Sequence, residues 1–119
     1  MVYYQKSGKL ISNDGTLMCV GYSGHGEGKN NPDMQSVKAI GPIPRGVYII
    51  GGAYDSKKTG TLTIMLIPNF NNEMFGRGDF RIHGDSIKEP GTASHGCIIA
   101  PRNIRETIIN GIDKKLIVK

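Results

Sequence analysis

Short apolar and β-branched runs alternate with glycine-rich breaks along most of the chain, a pattern that predicts strands rather than helices. Val2–Gln5, Lys9–Ser12 and Thr16–Tyr22 are β-prone and are separated by Lys6–Gly8 and Asn13–Gly15, whose glycine and Asn/Asp chemistry is that of hairpin turns. The N-terminus is therefore expected to form a meander. From Ser23 to Ala39 periodicity gives way to Gly, His, Asn, Pro and Ser, which predicts a long irregular loop of the kind that often carries function. Gly41–Gly46 should be a rigid turn, because Pro42 and Pro44 fix their own φ and restrict the residues before them. Strands are expected at Val47–Gly51 and Thr61–Ile67, the second with the near-continuous apolar run of a central strand. Asn69–Gly78 reads as a polar loop, Asp79–His83 as a short alternating strand ending on a histidine, and Lys115–Val118 as a closing strand. One helix is predicted, at about residues 101–110. Pro101 suits a first helical position, Ile104, Ile108, Ile109 and Ile112 give a partial apolar face, and Gly111 offers a left-handed stop. The sum is a mainly β fold with one short helix.

With 119 residues the chain is long enough to bury one core, and a single domain over residues 1–119 is expected. Seventeen glycines and six prolines fit many tight turns. The formal charge of +5 suggests an anionic partner, yet the basic residues are scattered, with pairs such as Lys57–Lys58 and no longer run, which argues against nucleic acid. No apolar stretch approaches the roughly 20 residues that span a bilayer. Met1–Leu10 lacks the apolar core of a secretion signal, so work outside the cytoplasm would require another delivery route or a signal outside this sequence.

The two cysteines differ in their surroundings. Cys19, within Thr16–Val20, reads as a small hydrophobe on a strand, whereas Cys97 stands between His95-Gly96 and a pair of isoleucines. A free thiol has a pKa of about 8.5 and needs a base or a positive charge beside it to become a nucleophile. His83, fourteen positions upstream, can be brought beside Cys97 if the intervening loop folds back between adjacent strands. His95 shares a face with Cys97 on an extended backbone, and Gly96 leaves the backbone open to a substrate. The N–H groups of Gly96 and Cys97 are the candidates for stabilising an oxyanion.

Ser94-His-Gly-Cys97 with the upstream His83-Gly84 resembles the signature of the L,D-transpeptidase (YkuD-type) catalytic domain. Gly21–Gly24, Asn30-Asn31, Gly41–Ile49, Arg81–Gly84, and Arg102 with Ile104 look like the subgroup that includes type VI-secreted L,D-transpeptidase-like effectors. The resemblance runs from about Tyr22 to Ile104. It implies a β-sandwich and action on the peptide stems of peptidoglycan, without metal or organic cofactor. By position, Cys97 matches the nucleophile, His83 the base, Gly84 the residue whose carbonyl orients that base, and His95 the second histidine of the site. It further implies Tyr22, Ser23 and Ser94 beside the substrate, delivery to a periplasm, and room for a cognate immunity protein as partner. The segment after the cysteine, Ile98–Pro101, departs from the usual pattern in being apolar, which leaves Arg81 or Arg102 to meet the substrate carboxylate.

Plainer readings stand beside these. His25 suits an ordinary surface or satisfied histidine, Gly41–Pro44 a structural turn, and Tyr22 a core contact. A metal site built from His83, His95 and Cys97, with His25 or Cys19 as fourth ligand, has suitable ligand types but not the paired spacing of recognisable zinc sites. A non-catalytic wall-binding module of the same fold would have lost the nucleophile or the base, and a cysteine protease would use the same two groups on a different substrate.

Overall fold

The computed structural model describes residues 1–119. β1 (Val2–Tyr3), β2 (Lys9–Ile11) and β3 (Leu17–Val20) form the expected antiparallel meander, and β4 (Tyr22–Ser23) follows after Gly21 alone. The long hairpin β5 (Gly46–Ser56) and β6 (Gly60–Pro68) comes next, followed by β7 (Arg81–His83), β8 (Ile98–Ile99), α1 (Arg102–Asn110) and β9 (Lys115–Val118). All nine strands belong to one mixed sheet in the order β3-β2-β1-β9-β5-β6-β7-β8-β4. Only β1 with β9 and β7 with β8 run parallel.

That order dictates the shape. β3 and β4 are the two edges of the sheet yet are consecutive in the chain, so the sheet must curl until its edges meet. The layers of the expected sandwich are two halves of one curled, hydrogen-bonded sheet. At the seam the Gly21 N–H donates to Gly8 O at 2.8 Å. A Cβ on Gly21 would fall 2.0 Å from Ile99 O, and one on Gly8, at φ +75°, 2.0 Å from Gly21 O. Both positions require glycine because the two edges approach backbone to backbone.

The concave face encloses the core. Tyr3, Leu10, Tyr48, Ile64, Ile82, Ile98 and Leu116 are fully buried there together with Ile108 of the helix, each side chain contributing about 1.5–3 kcal/mol relative to an exposed position. β6 is central in the sheet order but is not buried on both faces as its apolar run predicted. Ile64 and Leu66 point inward while Met65 and Ile67 stay exposed on the convex face. The helix forms where expected, with Ile108 buried and Ile104 and Ile109 half-buried against the core. Two details differ. Gly111 is extended at φ −77° rather than left-handed, and Ile112 is fully exposed beyond the helix end. Lys114 Nζ ends the helix instead, donating to the carbonyls of Ile108 and Ile109 at 3.3 and 2.9 Å.

Candidate active site

The parallel pair β7 and β8 builds the site. Ile82 lies opposite Ile98 and His83 opposite Ile99, with Ile82 and Ile98 directed into the core. Alternation then puts Arg81, His83 and Cys97 on the other face, and Cys97, one residue before Ile98, falls opposite Arg81. The fold thus brings His83 and Cys97 to adjacent strands, at the floor of a cleft of about 990 Å³ that both of them line. His95 lies on the cleft wall.

His83 is 4% exposed, and its Nδ1 lies 2.9 Å from Gly84 O. Only a protonated Nδ1 makes that bond, so Nε2 carries the lone pair and is free to accept a proton. Burial pushes the imidazole below its ordinary pKa, and Arg105 adds to the effect against the opposing pull of Gly84 O and Asp85. Gly84 itself is packed against Arg105, whose Nη2 would sit 2.8 Å from a Cβ there.

The Cys97 thiol is pushed up by burial. Against that act the Arg81 main-chain N–H and the charges of Arg81 and Lys58, while Asp79 pushes upward. The hydrogen bond that Sγ makes within the protein goes to Asp79 O at 3.8 Å, not to His83. The resting pair is therefore a neutral thiol and a neutral imidazole. Of the two amides expected to serve an oxyanion, Gly96 N–H is turned away to Ser94 Oγ at 3.1 Å. The Cys97 N–H has no acceptor within the protein.

His95 is exposed, with Nδ1 3.2 Å from Ala39 O, and it stacks on His25 with ring centroids 4.8 Å apart. The carbonyls that face Cys97 and His95 belong to Asp79 (φ +62°) and Ala39 (φ +63°), two non-glycine residues in the left-handed region. Such conformations cost free energy and gather at functional sites.

Three residues expected beside the substrate serve the scaffold instead. Ser23 and Ser94 are wholly buried. Ser23 Oγ donates to Gly96 O and accepts from Ile43 N–H, both at 2.9 Å. Ser94 Oγ donates to Cys97 O at 2.6 Å and accepts from Gly24 N–H at 2.9 Å. Tyr22 is buried at the seam, its hydroxyl donating to Asp85 Oδ1 at 2.6 Å and accepting from Ala93 N–H at 3.0 Å, and burial and Asp85 push it up to about 12. Together these bonds order the loop between β7 and β8.

Arg81 lies in the cleft, donating from Nε to Tyr54 Oη at 2.7 Å. Arg102 does not reach it; its guanidinium pairs with Glu106 at 3.0 Å and Thr61 Oγ1 at 2.8 Å over a separate recess. Arg77, Asp79 and Asp85 share the cleft without having been singled out in the sequence; the partners of Arg77 are main-chain carbonyls 35–42 positions away. No three His, Cys, Asp or Glu side chains are grouped so as to hold a metal ion, His83, His95 and Cys97 included.

A thiol, an imidazole of fixed tautomer and a free amide in a cleft edged by Arg81 and Lys58 are the parts of a cysteine acyl-transfer site. Residues 18–118 match the Tlde1 domain model, and the chain belongs to that family, the type VI secretion L,D-transpeptidase effectors. Membership brings peptidoglycan-related activity and delivery to a target periplasm. No curated protein and no solved structure matches the chain. No helix is long and apolar enough to cross a membrane.

Proposed function

We propose that the protein trims or exchanges the terminal residue of peptidoglycan tetrapeptide stems through a thioester on Cys97. The observation that carries this reading is the fixed imidazole of His83, its Nε2 left free by the Nδ1–H bond to Gly84 O, on the strand beside Cys97. The Cys97 proton passes to His83 Nε2 as sulfur attacks the carbonyl of the third stem residue. The oxyanion that forms meets the Cys97 N–H. The C–N bond to the terminal D-alanine then breaks, and His83 returns its proton to the departing amine. In the second half water, or the amine of a free D-amino acid, attacks the thioester. Its proton goes to His83 and then to sulfur, and the stem leaves as a tripeptide or as an exchanged tetrapeptide.

Arg81, fixed by Tyr54 and opposite Cys97, is the group placed to meet a stem carboxylate. His95 lines the wall where the acceptor would enter. Water and small amines are the favoured acceptors over a second stem, because the cleft of about 990 Å³ must already hold the donor stem. A cognate immunity protein is the natural partner of an effector acting in this way, and blocking this cleft would suffice for protection.

Incubation of the purified protein with tetrapeptide muropeptides, read by mass spectrometry, tests the proposal. The tripeptide should be the main product, and added D-methionine should divert part of it to the exchanged tetrapeptide, with exchange rising as trimming falls. Mainly 3–3 cross-linked dimers would contradict the partition between acceptors. Untouched tetrapeptides would contradict the substrate.

A further inference from the structure

Arg77 is 8% exposed and has no carboxylate partner. Its guanidinium instead gathers main-chain carbonyls from three turns. Nη1 donates to Gln35 O at 2.6 Å and Pro42 O at 2.7 Å, and Nη2 to Gly41 O at 2.9 Å and, at the long distance of 3.5 Å, to His95 O. The cation also stands over the Phe80 ring, 5.2 Å from its centroid. A buried charge without a counter-ion is costly, and an apolar side chain of similar volume commonly serves stability as well or better. A planar five-donor fork is, however, suited to fixing several carbonyls in one geometry.

The geometry it fixes is that of the nucleophile's own turn. Gly96 has φ +136°, and a Cβ there would lie 2.6 Å from Arg77 Nη2 and 2.8 Å from the Phe80 ring, so the turn rests directly on this pair. Arg77 holds the carbonyl of His95, and Ser23 holds that of Gly96. Those are the two peptide units preceding the Cys97 sulfur, and the second carries the Cys97 N–H. We propose that Arg77 is a positioning residue that aims the Cys97 amide at the developing oxyanion. This rests on the reading of Cys97 as an acyl-transfer nucleophile but not on any particular substrate.

Two reactions of the same thiol separate this role from a merely structural one. Acyl transfer from p-nitrophenyl acetate passes through an oxyanion whatever the natural substrate is: sulfur bonds to the acetyl carbon and nitrophenolate leaves. Alkylation by iodoacetamide displaces iodide at a saturated carbon and makes no oxyanion. Arg77→Met, checked for folding by circular dichroism, should lose acetylation about 10²–10³-fold, the size of a lost oxyanion donor, with alkylation within about threefold of the parent. Arg77→Lys keeps a compact charge that reaches some of the carbonyls and should restore part of the acetylation rate. On muropeptides the loss should fall on kcat and leave KM near its parent value. The proposal is overturned if a folded variant acetylates at the parent rate, if acetylation and alkylation fall together, or if the loss is in KM. Should Arg77→Met not fold, the same comparison on Arg77→Lys decides, with acetylation falling more than alkylation as the expected result. Failure on muropeptides with the ester result intact would remove the substrate assignment and leave the role of Arg77 standing.

Discussion

Cys19 and Cys97 are both free, half-buried thiols, and burial pushes both upward. Cys19 sits on β3 opposite Leu10, packed against the core with no imidazole beside it. Cys97 has the Arg81 cation in its cleft, His83 on the neighbouring strand and a free amide of its own. Desolvation alone therefore does not mark the nucleophile. What separates the two is a neighbour able to take the proton and a donor able to receive the charge that moves onward. On the proposed mechanism, a buried neutral thiol stays an inert hydrophobe at one site, and at the other it is deprotonated only as it reacts.

The comparison breaks most sharply under substitution. Cys97→Ala should abolish stem processing while Cys19→Ala leaves it near the parent rate, as read from muropeptide profiles; equal losses in two folded variants would erase the distinction. His83→Ala should cost about 10²–10⁴ in kcat, the usual worth of a positioned general base. Removing one cation of the cleft is a smaller change: Arg81→Ala should raise KM for tetrapeptide about tenfold, the loss of one charge-assisted hydrogen bond, with kcat less affected.

Protonation supplies the smallest and most diagnostic effects. His83 must be neutral to act, and its folded pKa lies below the ordinary value of about 6.5, so the acid limb of kcat/KM should fall below pH 6.5. The same shift has a stability consequence. A histidine buried neutral binds its proton more weakly folded than unfolded, so stability should be full above about pH 6.5 and decline as pH falls from there towards the folded pKa. Thermal unfolding of the parent and His83→Gln across pH 5–8 would read it, the variant losing part of the slope. At pH 7 iodoacetamide should modify both cysteines more slowly than free cysteine, because both thiols are desolvated.

Much of this was legible in the sequence because the signals are local. Short apolar and β-branched runs marked most of the strands, though not β8 and not the far half of β5, Pro101 and the isoleucine spacing marked α1, and the His-Gly and Ser-His-Gly-Cys segments marked the residues of the cleft. What escaped is set by partners remote in the chain. Gly8 and Gly21 are required by a seam between opposite edges of the sheet, which no window around either residue reveals. Arg77 reaches carbonyls 35–42 positions away, so it read as one more scattered cation. Ser23 and Ser94 were drawn into the site by their place in the motif, whereas their hydroxyls are spent on the backbone that shapes it. The apolar run of β6 suggested burial on both faces because composition does not say that Met65 and Ile67 lack a covering layer.

The central claim, that Cys97 carries the acyl group, is tested most directly by rapid acid quenching of the protein with tetrapeptide muropeptide, followed by intact-mass and peptide-mapping mass spectrometry. The account predicts an adduct of the stem acyl group lacking its terminal D-alanine. It should map to Cys97, persist in Cys19→Ala, be discharged faster by added D-methionine, and be missing from Cys97→Ala. Tetrapeptide turnover that continues in Cys97→Ala, or an adduct that maps to Cys19, would contradict it.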